Sequence, residues 1–204
     1  MDLKAYWETV HETKAQDAVS WYRAHLEMSL ALIERADVEP SASIIDVGGG
    51  QSTLVDDLFA RGHKNLTVLD ISATALEAAK KRLGENAASI HWIAADVTQA
   101  KLPEHAYDIW HDRAVFHFLT SETHRSAYVR QAARLLKSGG HLILATFAAR
   151  GPARCSGLQV VRYTTESLAR ELSEHFRLIE SADELHRTPN GRVQPFVYAR
   201  FRAI

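Results

Sequence analysis

The feature that most constrains the fold of this 204-residue chain is a short apolar run that ends in three glycines. Residues 43–47, Ser-Ile-Ile-Asp-Val, have the length and β-branched content of a buried strand, and Gly48, Gly49 and Gly50 follow directly. Glycines at this position let the backbone turn tightly and approach a ligand without an intervening side chain. A helix that begins just afterwards would point its free N–H groups at the same place. The segment predicts a strand, a ligand-binding turn and a helix in succession.

Strands and helices alternate at short intervals along most of the chain. Strands are predicted at 43–47, 66–69, 90–94, 107–110 and 141–147, and helices at 4–36, from 52 or 53 to 61, at 73–83 and at 121–136. Such alternation predicts parallel strands with right-handed crossovers. Two further apolar runs, 176–180 and 193–201, are joined through Asn190-Gly191, which is a hairpin signal. The predicted fold class is therefore α/β, a doubly wound and mostly parallel sheet with an antiparallel C-terminal hairpin.

Three carboxylates lie at the ends of the first three predicted strands: Asp46, Asp70 and Asp96. Each by itself could simply close a turn or cap a helix, but ligands bind α/β sheets at the carboxyl ends of strands. Asp70 suits the hydroxyls of a bound ribose, and Asp96 the amino group of an adenine. A dinucleotide would need a third glycine where Thr53 stands, and Asp46 would repel its pyrophosphate. The same charge attracts the cationic methionine part of S-adenosylmethionine (SAM), so the pattern favours SAM over NAD.

Several motifs of the chain resemble those of the class I SAM-dependent methyltransferases, along nearly the whole sequence. The similar segments are IIDVGGGQSTL, VLDISATAL, ADV, YDIWHDRAVFHFL and LLKSGGHLILATF. The resemblance implies a Rossmann-like sheet of seven strands and SAM as the cofactor. It implies that Asp46, Gly48 and Gly50 flank the methionine moiety, that Asp70 and Ile71 hold the ribose, and that Asp96 and Val97 flank the adenine. With Gly49 of the same loop, these form the predicted cofactor site, although Ser52 stands where the family often has a further glycine.

The N-terminal segment carries two aromatic pairs, Tyr6-Trp7 and Trp21-Tyr22. In the family that it resembles, such a segment covers the mouth of the site. We therefore expect a single domain, 1–204, in which residues 1–40 form a helical lid. Because aromatic faces attract cations such as a sulfonium, Trp21 is included among the predicted cofactor-binding residues. The alternative is that these rings only pack the helices onto the sheet.

The segment His111-Asp112-Arg113 follows the predicted fourth strand, where the family places groups on the acceptor side. It is similar to the D-[RK]-G segment of thiopurine methyltransferase-like and some protein-lysine methyltransferases, with Ala114 in place of the glycine. Asp112 and His117 are the predicted catalytic residues. Asp112 would position SAM or a cationic acceptor, and His117 would remove a proton from the acceptor. The alternative for His117 is a half-buried structural histidine, and no ligand set for a metal is recognisable.

The composition of the chain limits the classes of binding partner and the cell compartment that we expect. Lys and Arg number 24 and Asp and Glu 25, so no charge surplus favours nucleic acid. The chain has a single cysteine, no apolar run near the roughly 20 residues that span a bilayer, and no secretory signal, so we expect a cytoplasmic protein without a membrane partner. The expected function is SAM-dependent methylation of a small molecule. The alternatives are a protein-lysine N-methyltransferase and a non-catalytic SAM-binding sensor.

Overall fold

The computed structural model describes residues 2–204, and within them seven strands form one sheet. In chain order the strands are β1 (Ser43–Val47), β2 (Asn65–Asp70), β3 (His91–Ala94), β4 (Tyr107–Arg113), β5 (Leu136–Phe147), β6 (Phe176–Arg187) and β7 (Val193–Ala203). Their order across the sheet is β3-β2-β1-β4-β5-β7-β6. The first five strands run parallel, and β7 pairs antiparallel with both β5 and β6. The predicted fold class is confirmed.

Helices cover both faces of this sheet. They are α1 (Leu3–Thr13), α2 (Glu27–Glu34), α3 (Leu54–Ala60), α4 (Ala73–Leu83), α5 (Glu122–Leu135) and α6 (Thr165–Leu172). One core joins the sheet to α5 and α6 and contains the buried side chains of Trp110 and Tyr128. The other joins it to α2, α3 and α4 and contains Leu32 and Leu54. The direction in which successive strands are added to the sheet reverses between β1 and β4, and this switch opens a crevice at the carboxyl ends of the two strands.

Side-chain caps begin α4 and α5 where the sequence predicts them, whereas Thr53 makes no side-chain capping bond at the start of α3. Ser72 accepts a hydrogen bond from the N–H of Ala75, and Ser121 from that of His124. Gly84 follows α4 with a φ of 59°, a conformation that costs a residue with a side chain more than it costs glycine. These local signals are short-range, which is why the sequence alone reveals them.

The prediction of helical structure over 4–36 is correct for α1 and α2 but wrong for most of the segment 14–26, which separates these two helices. The backbone of Lys14 is extended and ends α1. Besides two hydrogen bonds within itself, the segment bonds to distant parts of the protein. Its carbonyls at Ser20 and Trp21 accept hydrogen bonds from His186 and Arg113. Helical periodicity in the sequence does not reveal partners so distant along the chain.

Two strand boundaries also differ from the prediction. The fourth strand continues to Arg113 instead of ending at Trp110, so His111 and Asp112 lie within it. The fifth strand, predicted to begin at His141, begins at Leu136, directly after α5 ends at Leu135. A side chain at Gly140 would lie 3.1 Å from the carbonyl oxygen of Asp108, so this glycine permits a close approach of β5 to β4 rather than ending a helix.

The C-terminal hairpin is longer than predicted but has the predicted turn, with Gly191 at a φ of 80°. None of the helices in residues 2–204 combines the length and hydropathy needed to cross a bilayer.

Candidate active site

A cavity opens at the carboxyl ends of β1, β2, β3 and β4, beneath α1 and the segment 14–26. Its walls come from the glycine loop, from the ends of these strands and from the N-terminal residues. The predicted cofactor residues that line it are Asp46, Gly48, Gly49, Gly50, Asp70, Ile71, Asp96, Val97 and Trp21. The structure thus brings all of the predicted cofactor-site residues to one cavity, although they come from four separate segments of the chain.

The glycine loop passes too close to its neighbours for any side chain. Gly48 has a φ of 67°, and a Cβ there would lie 2.0 Å from Cγ2 of Val115. A Cβ on Gly49 would lie 2.7 Å from Oδ2 of Asp46, and one on Gly50 would lie 2.9 Å from Oδ2 of Asp70. Both carboxylates therefore lie directly against the loop backbone. Because the glycines carry no side chains, a ligand can approach that backbone closely.

The carboxylate of Asp46 is almost fully buried, and only one of its two oxygens has a hydrogen-bond partner among the described residues. Its Oδ1 accepts a hydrogen bond from Nδ1 of His111 at 2.7 Å. Its Oδ2 is buried and has no hydrogen-bond partner among residues 2–204. Since burying an unpaired carboxylate oxygen is unfavourable, this atom is suited to a cationic or N–H-bearing group of a ligand.

Asp70 ends β2 and is also buried, with its Oδ1 accepting from the N–H of Ser72 at 2.8 Å. Burial raises the pKa of this carboxyl from 3.8 to about 7. The hydrogen bond from Ser72 lowers the pKa, while the charges of Asp46 and Glu8 raise it further. The charged form of Asp70 is thus unfavourable in the protein alone, and ligand hydroxyl groups that donate hydrogen bonds to it would stabilise that form.

Asp96 and Val97 lie on the loop after β3. Oδ1 of Asp96 accepts from both the N–H and the hydroxyl of Thr98 at 2.8 Å, which fixes the carboxylate at the cavity wall. Val97 is buried beside it and presents an apolar surface. A polar edge next to an apolar face suits a flat heterocycle.

Helix α1 is attached on both sides of the cavity. Glu8 accepts hydrogen bonds from the N–H groups of Ala73 and Thr74 and from the hydroxyl of Ser72, at the N-terminus of α4. Burial alone would raise its pKa, but these donors outweigh that effect and lower the pKa to about 2. On the other side, the hydroxyl of Tyr6 donates to the carbonyl of Ser156. The helix therefore covers the cavity, and sequence analysis missed Glu8 because its partners lie more than 60 residues away.

Aromatic rings form the wall opposite the strand ends. The ring of Trp7 lies edge-on to Trp21 at 5.8 Å and to Phe118 at 5.2 Å, and His11 packs against both tryptophans. Burial lowers the pKa of His11, which favours the neutral ring near pH 7. Tyr22 also lines the cavity.

The two predicted catalytic residues do not reach this cavity. Asp112 is fully buried, and its carboxylate accepts from the N–H groups of Val115 and Phe116 and from the hydroxyl of Tyr128. Burial raises its pKa to about 6 despite these bonds. It holds the turn after β4, and this position does not support contact with an acceptor.

His117 is enclosed between the rings of Phe118 and Phe147, and its Nδ1 accepts from the N–H of Phe147. Burial lowers the pKa of this ring to about 3. The geometry corresponds to the structural alternative for this histidine rather than to a base that faces the acceptor.

In β4, the residues that line the cavity are His111 and Arg113. Side chains alternate across a strand, so extending β4 by three residues places these two on the face opposite Asp112. A longer strand prediction would have identified them. The guanidinium of Arg113 donates hydrogen bonds to the hydroxyl of Tyr198 and to the carbonyl of Trp21, and it forms an ion pair with Glu184. Within residues 2–204 no group of three or more His, Cys, Asp or Glu side chains is arranged to hold a metal ion.

Comparison with known proteins indicates the kind of domain to which this cavity belongs. Residues 45–144 match the family model described as a methyltransferase domain. The eEF1A lysine and N-terminal methyltransferase of Mus musculus is 23% identical over 138 residues, 68% of this chain and 19% of that protein. The malonyl-[acyl-carrier protein] O-methyltransferase of Anoxybacillus flavithermus is 33% identical over 127 residues, 61% of this chain and 46% of that protein. The chain thus spans about a fifth of the length of the mouse protein and less than half of the bacterial one.

Among solved structures, the N-methyltransferase NodS from Bradyrhizobium japonicum WM9, in complex with S-adenosyl-L-homocysteine (SAH), shares the fold with a TM-score of 0.75. It is 20% identical, and 99% of each chain is covered. The fold, the cavity and the matched segment define a methyltransferase domain. The cofactor of this domain is SAM, as in the class I SAM-dependent methyltransferases that the chain resembles.

Proposed function

We propose that this protein transfers a methyl group from SAM to a small-molecule acceptor. The observation that carries the proposal is a single covered cavity, in which three strand-end carboxylates and a glycine loop face an aromatic wall. When bound, SAM supplies an activated methyl group that a nucleophilic acceptor atom takes by direct displacement. The protein's own task is then to align the reactants, exclude water and accept a proton where the acceptor carries one.

The residues at the strand ends fit the cofactor part by part. The unpartnered Oδ2 of Asp46 suits the ammonium group of the methionine moiety. Asp70 with Ile71 suits the ribose hydroxyls, and Asp96 with Val97 suits the adenine. The side-chain-free backbone of the glycine loop leaves space between them. These assignments rest on the chemistry of the donor and acceptor groups that line the cavity.

The N-terminal residues, 1–40, are proposed to act as the lid of this one domain. Support comes from the attachments of Glu8 and Tyr6 on opposite sides of the cavity. Trp7 and Trp21 would then exclude water from the reacting atoms and present aromatic faces to a positive charge.

The acceptor is proposed to be small, largely apolar and not dependent on a carboxylate partner. Among the described residues that line the cavity, the acidic side chains are Asp46, Asp70 and Asp96, and all belong to the cofactor side. Arg113 on the acceptor side is already paired with Glu184. An apolar wall with few free charges favours a neutral, flat molecule over a lysine side chain.

His11 is proposed to accept the proton of the acceptor, in place of Asp112 and His117. It lines the cavity between Trp7 and Trp21, and its lowered pKa keeps the ring neutral. Replacing a general base costs about 10²- to 10⁴-fold in rate, so His11→Gln should lower turnover and leave SAH affinity nearly unchanged. Loss of turnover in proportion to SAH affinity would contradict this role.

A protein-lysine acceptor is the second candidate. The aromatic wall favours it, because aromatic rings can surround a cationic amine. The name of the mouse relative points to the same class of acceptor.

The deciding experiment begins with calorimetric titration of SAH and of NAD into the purified protein. Binding of NAD but not SAH would overturn the proposal. The protein is then incubated with methyl-labelled SAM and either a small-molecule extract or a dialysed protein lysate. Label in small molecules supports the first candidate, and label in protein supports the lysine methyltransferase. Binding of SAH without any label in either pool would favour the non-catalytic sensor.

A further inference from the structure

We propose that His111 is a positioning residue, which holds the Asp46 carboxylate so that Oδ2 faces the methionine end of the cofactor. We further propose that Ser29 fixes the tautomer of His111. This inference rests on the proposed function, since it assumes that SAM occupies the cavity.

The pairing register of the sheet places the two side chains together. β1 and β4 are parallel neighbours, and Asp46 lies opposite His111 in their register. Nδ1 of His111 lies 2.7 Å from Oδ1 of Asp46, and Nε2 lies 2.9 Å from Oγ of Ser29 on α2. All three residues are less than 5% exposed. The chain of hydrogen bonds thus connects the core helix α2 to the cavity wall through the centre of the sheet.

The direction of each bond follows from the chemistry of the groups. An ionised carboxylate oxygen only accepts, so Nδ1 of His111 carries the proton that it donates to Asp46. In the neutral ring Nε2 is then an acceptor, and the hydroxyl of Ser29 donates to it. One oxygen of Asp46 is therefore occupied inside the protein, and the carboxylate cannot turn without breaking a buried bond.

The second carboxylate oxygen of Asp46, Oδ2, indicates the role of the hydrogen bond from His111. Asp46 lines the cavity, and its Oδ2 lies beside Gly49 and lacks a partner in the described part of the chain. A carboxylate that served only the fold would have both oxygens paired. Held as it is, Asp46 offers one charge-assisted bond to a ligand, and the methionine ammonium is the cationic donor that the cofactor brings.

The test compares two ligands that differ at the methionine end. SAH carries the amino-acid moiety, whereas 5′-methylthioadenosine keeps the nucleoside and lacks that moiety. Loss of a charge-assisted hydrogen bond corresponds to about a 10- to 100-fold change in affinity. We therefore expect His111→Phe to weaken SAH binding by that factor and to leave 5′-methylthioadenosine binding close to the wild-type value. The exposed His91 provides a matched control, since His91→Phe should change neither affinity.

Two amide variants keep the proposal testable if His111→Phe does not fold. In His111→Asn the side-chain N–H group lies close to the position of Nδ1, so the bond to Asp46 and the SAH affinity should be retained. In His111→Gln the amide reaches toward Ser29 instead, and the SAH affinity should fall as in the Phe variant. Ser29→Ala should cause a smaller loss of the same selective kind.

Equal weakening of both ligands in folded variants would show a merely structural role and overturn the proposal. Unchanged SAH affinity in His111→Gln would overturn it as well. If the wild-type protein itself fails to bind SAH, the proposed function fails first, and that outcome is distinct from either of these.

Discussion

The buried carboxylate of Asp70 makes a prediction in which stability and ligand binding change in opposite directions. Its pKa is about 7 in the folded protein, against 3.8 as the ordinary value, mainly because burial disfavours the charged form. The folded state therefore binds this proton more tightly than the unfolded state. The sign follows: the contribution of Asp70 to stability is fully present below pH 3.8 and is lost as pH rises through 7.

The magnitude follows from the difference of the two values, 7 minus 3.8. At about 1.36 kcal/mol per pKa unit, ionising Asp70 lowers the free energy of unfolding by up to about 4 kcal/mol at high pH. Asp70→Asn removes the titrating group and keeps an oxygen that can accept from the N–H of Ser72. We expect the variant without ligand to be more stable than wild type at pH 8 and close to it near pH 4. Each kcal/mol corresponds to roughly 2–4 °C in Tm for a chain of this size.

Ligand binding should change in the other direction. Replacing the charged acceptor of the ribose hydroxyls by a neutral one weakens those bonds, so SAH affinity should fall by about tenfold. Urea denaturation at a series of pH values and calorimetry with SAH measure the two effects. Asp183→Asn is the matched control, because that side chain is 66% exposed and does not line the cavity. A stability difference between Asp70→Asn and wild type that does not vary with pH would refute the reasoning.

Three further predictions test the loop, the lid and the turn after β4. Gly48→Ala should greatly reduce SAH binding, because the new Cβ would meet Val115 at 2.0 Å, whereas Gly62→Ala, also at positive φ but in open space, should leave binding intact in the same calorimetric assay. Glu8→Gln should lower the free energy of unfolding by about 1 kcal/mol, because the neutral side chain is a weaker cap for α4. Wild type should lose this contribution as pH falls from 4.5 to about 2, and the variant should not show that pH dependence. The variant should also be cleaved faster by proteases within residues 3–13. Asp112→Ala should lower the free energy of unfolding by about 3 kcal/mol, because three buried donors lose their acceptor, and a stable variant that binds SAH but has lost turnover would instead favour the catalytic prediction.

The cofactor side of the cavity was predictable because its signals are local. The strand before Gly48, the glycines themselves and the strand-end carboxylates at Asp46 and Asp70 are each visible within a few residues. Parallel strands bring their carboxyl ends to one edge of a sheet, so residues far apart in the chain can be placed together without knowing any contact. For the same reason the alternation of strands and helices was enough for the fold class.

The acceptor side was not predictable in this way. Whether Asp112 or His111 faces the cavity depends on where β4 ends, and a shift of one residue along a strand reverses the face. The end of β4 depends on its pairing with β5, which the sequence around His111 does not reveal.

The sequence by itself determined the α/β class, the antiparallel C-terminal hairpin and the edge of the sheet that holds the ligand, because periodicity, turn residues and capping residues act over short distances. Only the tertiary structure decided that residues 14–26 leave the helix, that Glu8 attaches α1 to α4, and that Asp46 is joined through His111 to Ser29. The contacts of Glu8 with α4, of Asp46 with His111 and of His111 with Ser29 each join residues more than 60 positions apart in the chain. Contacts of that kind depend on the sheet register and on helix docking, and neither leaves a local pattern in the sequence.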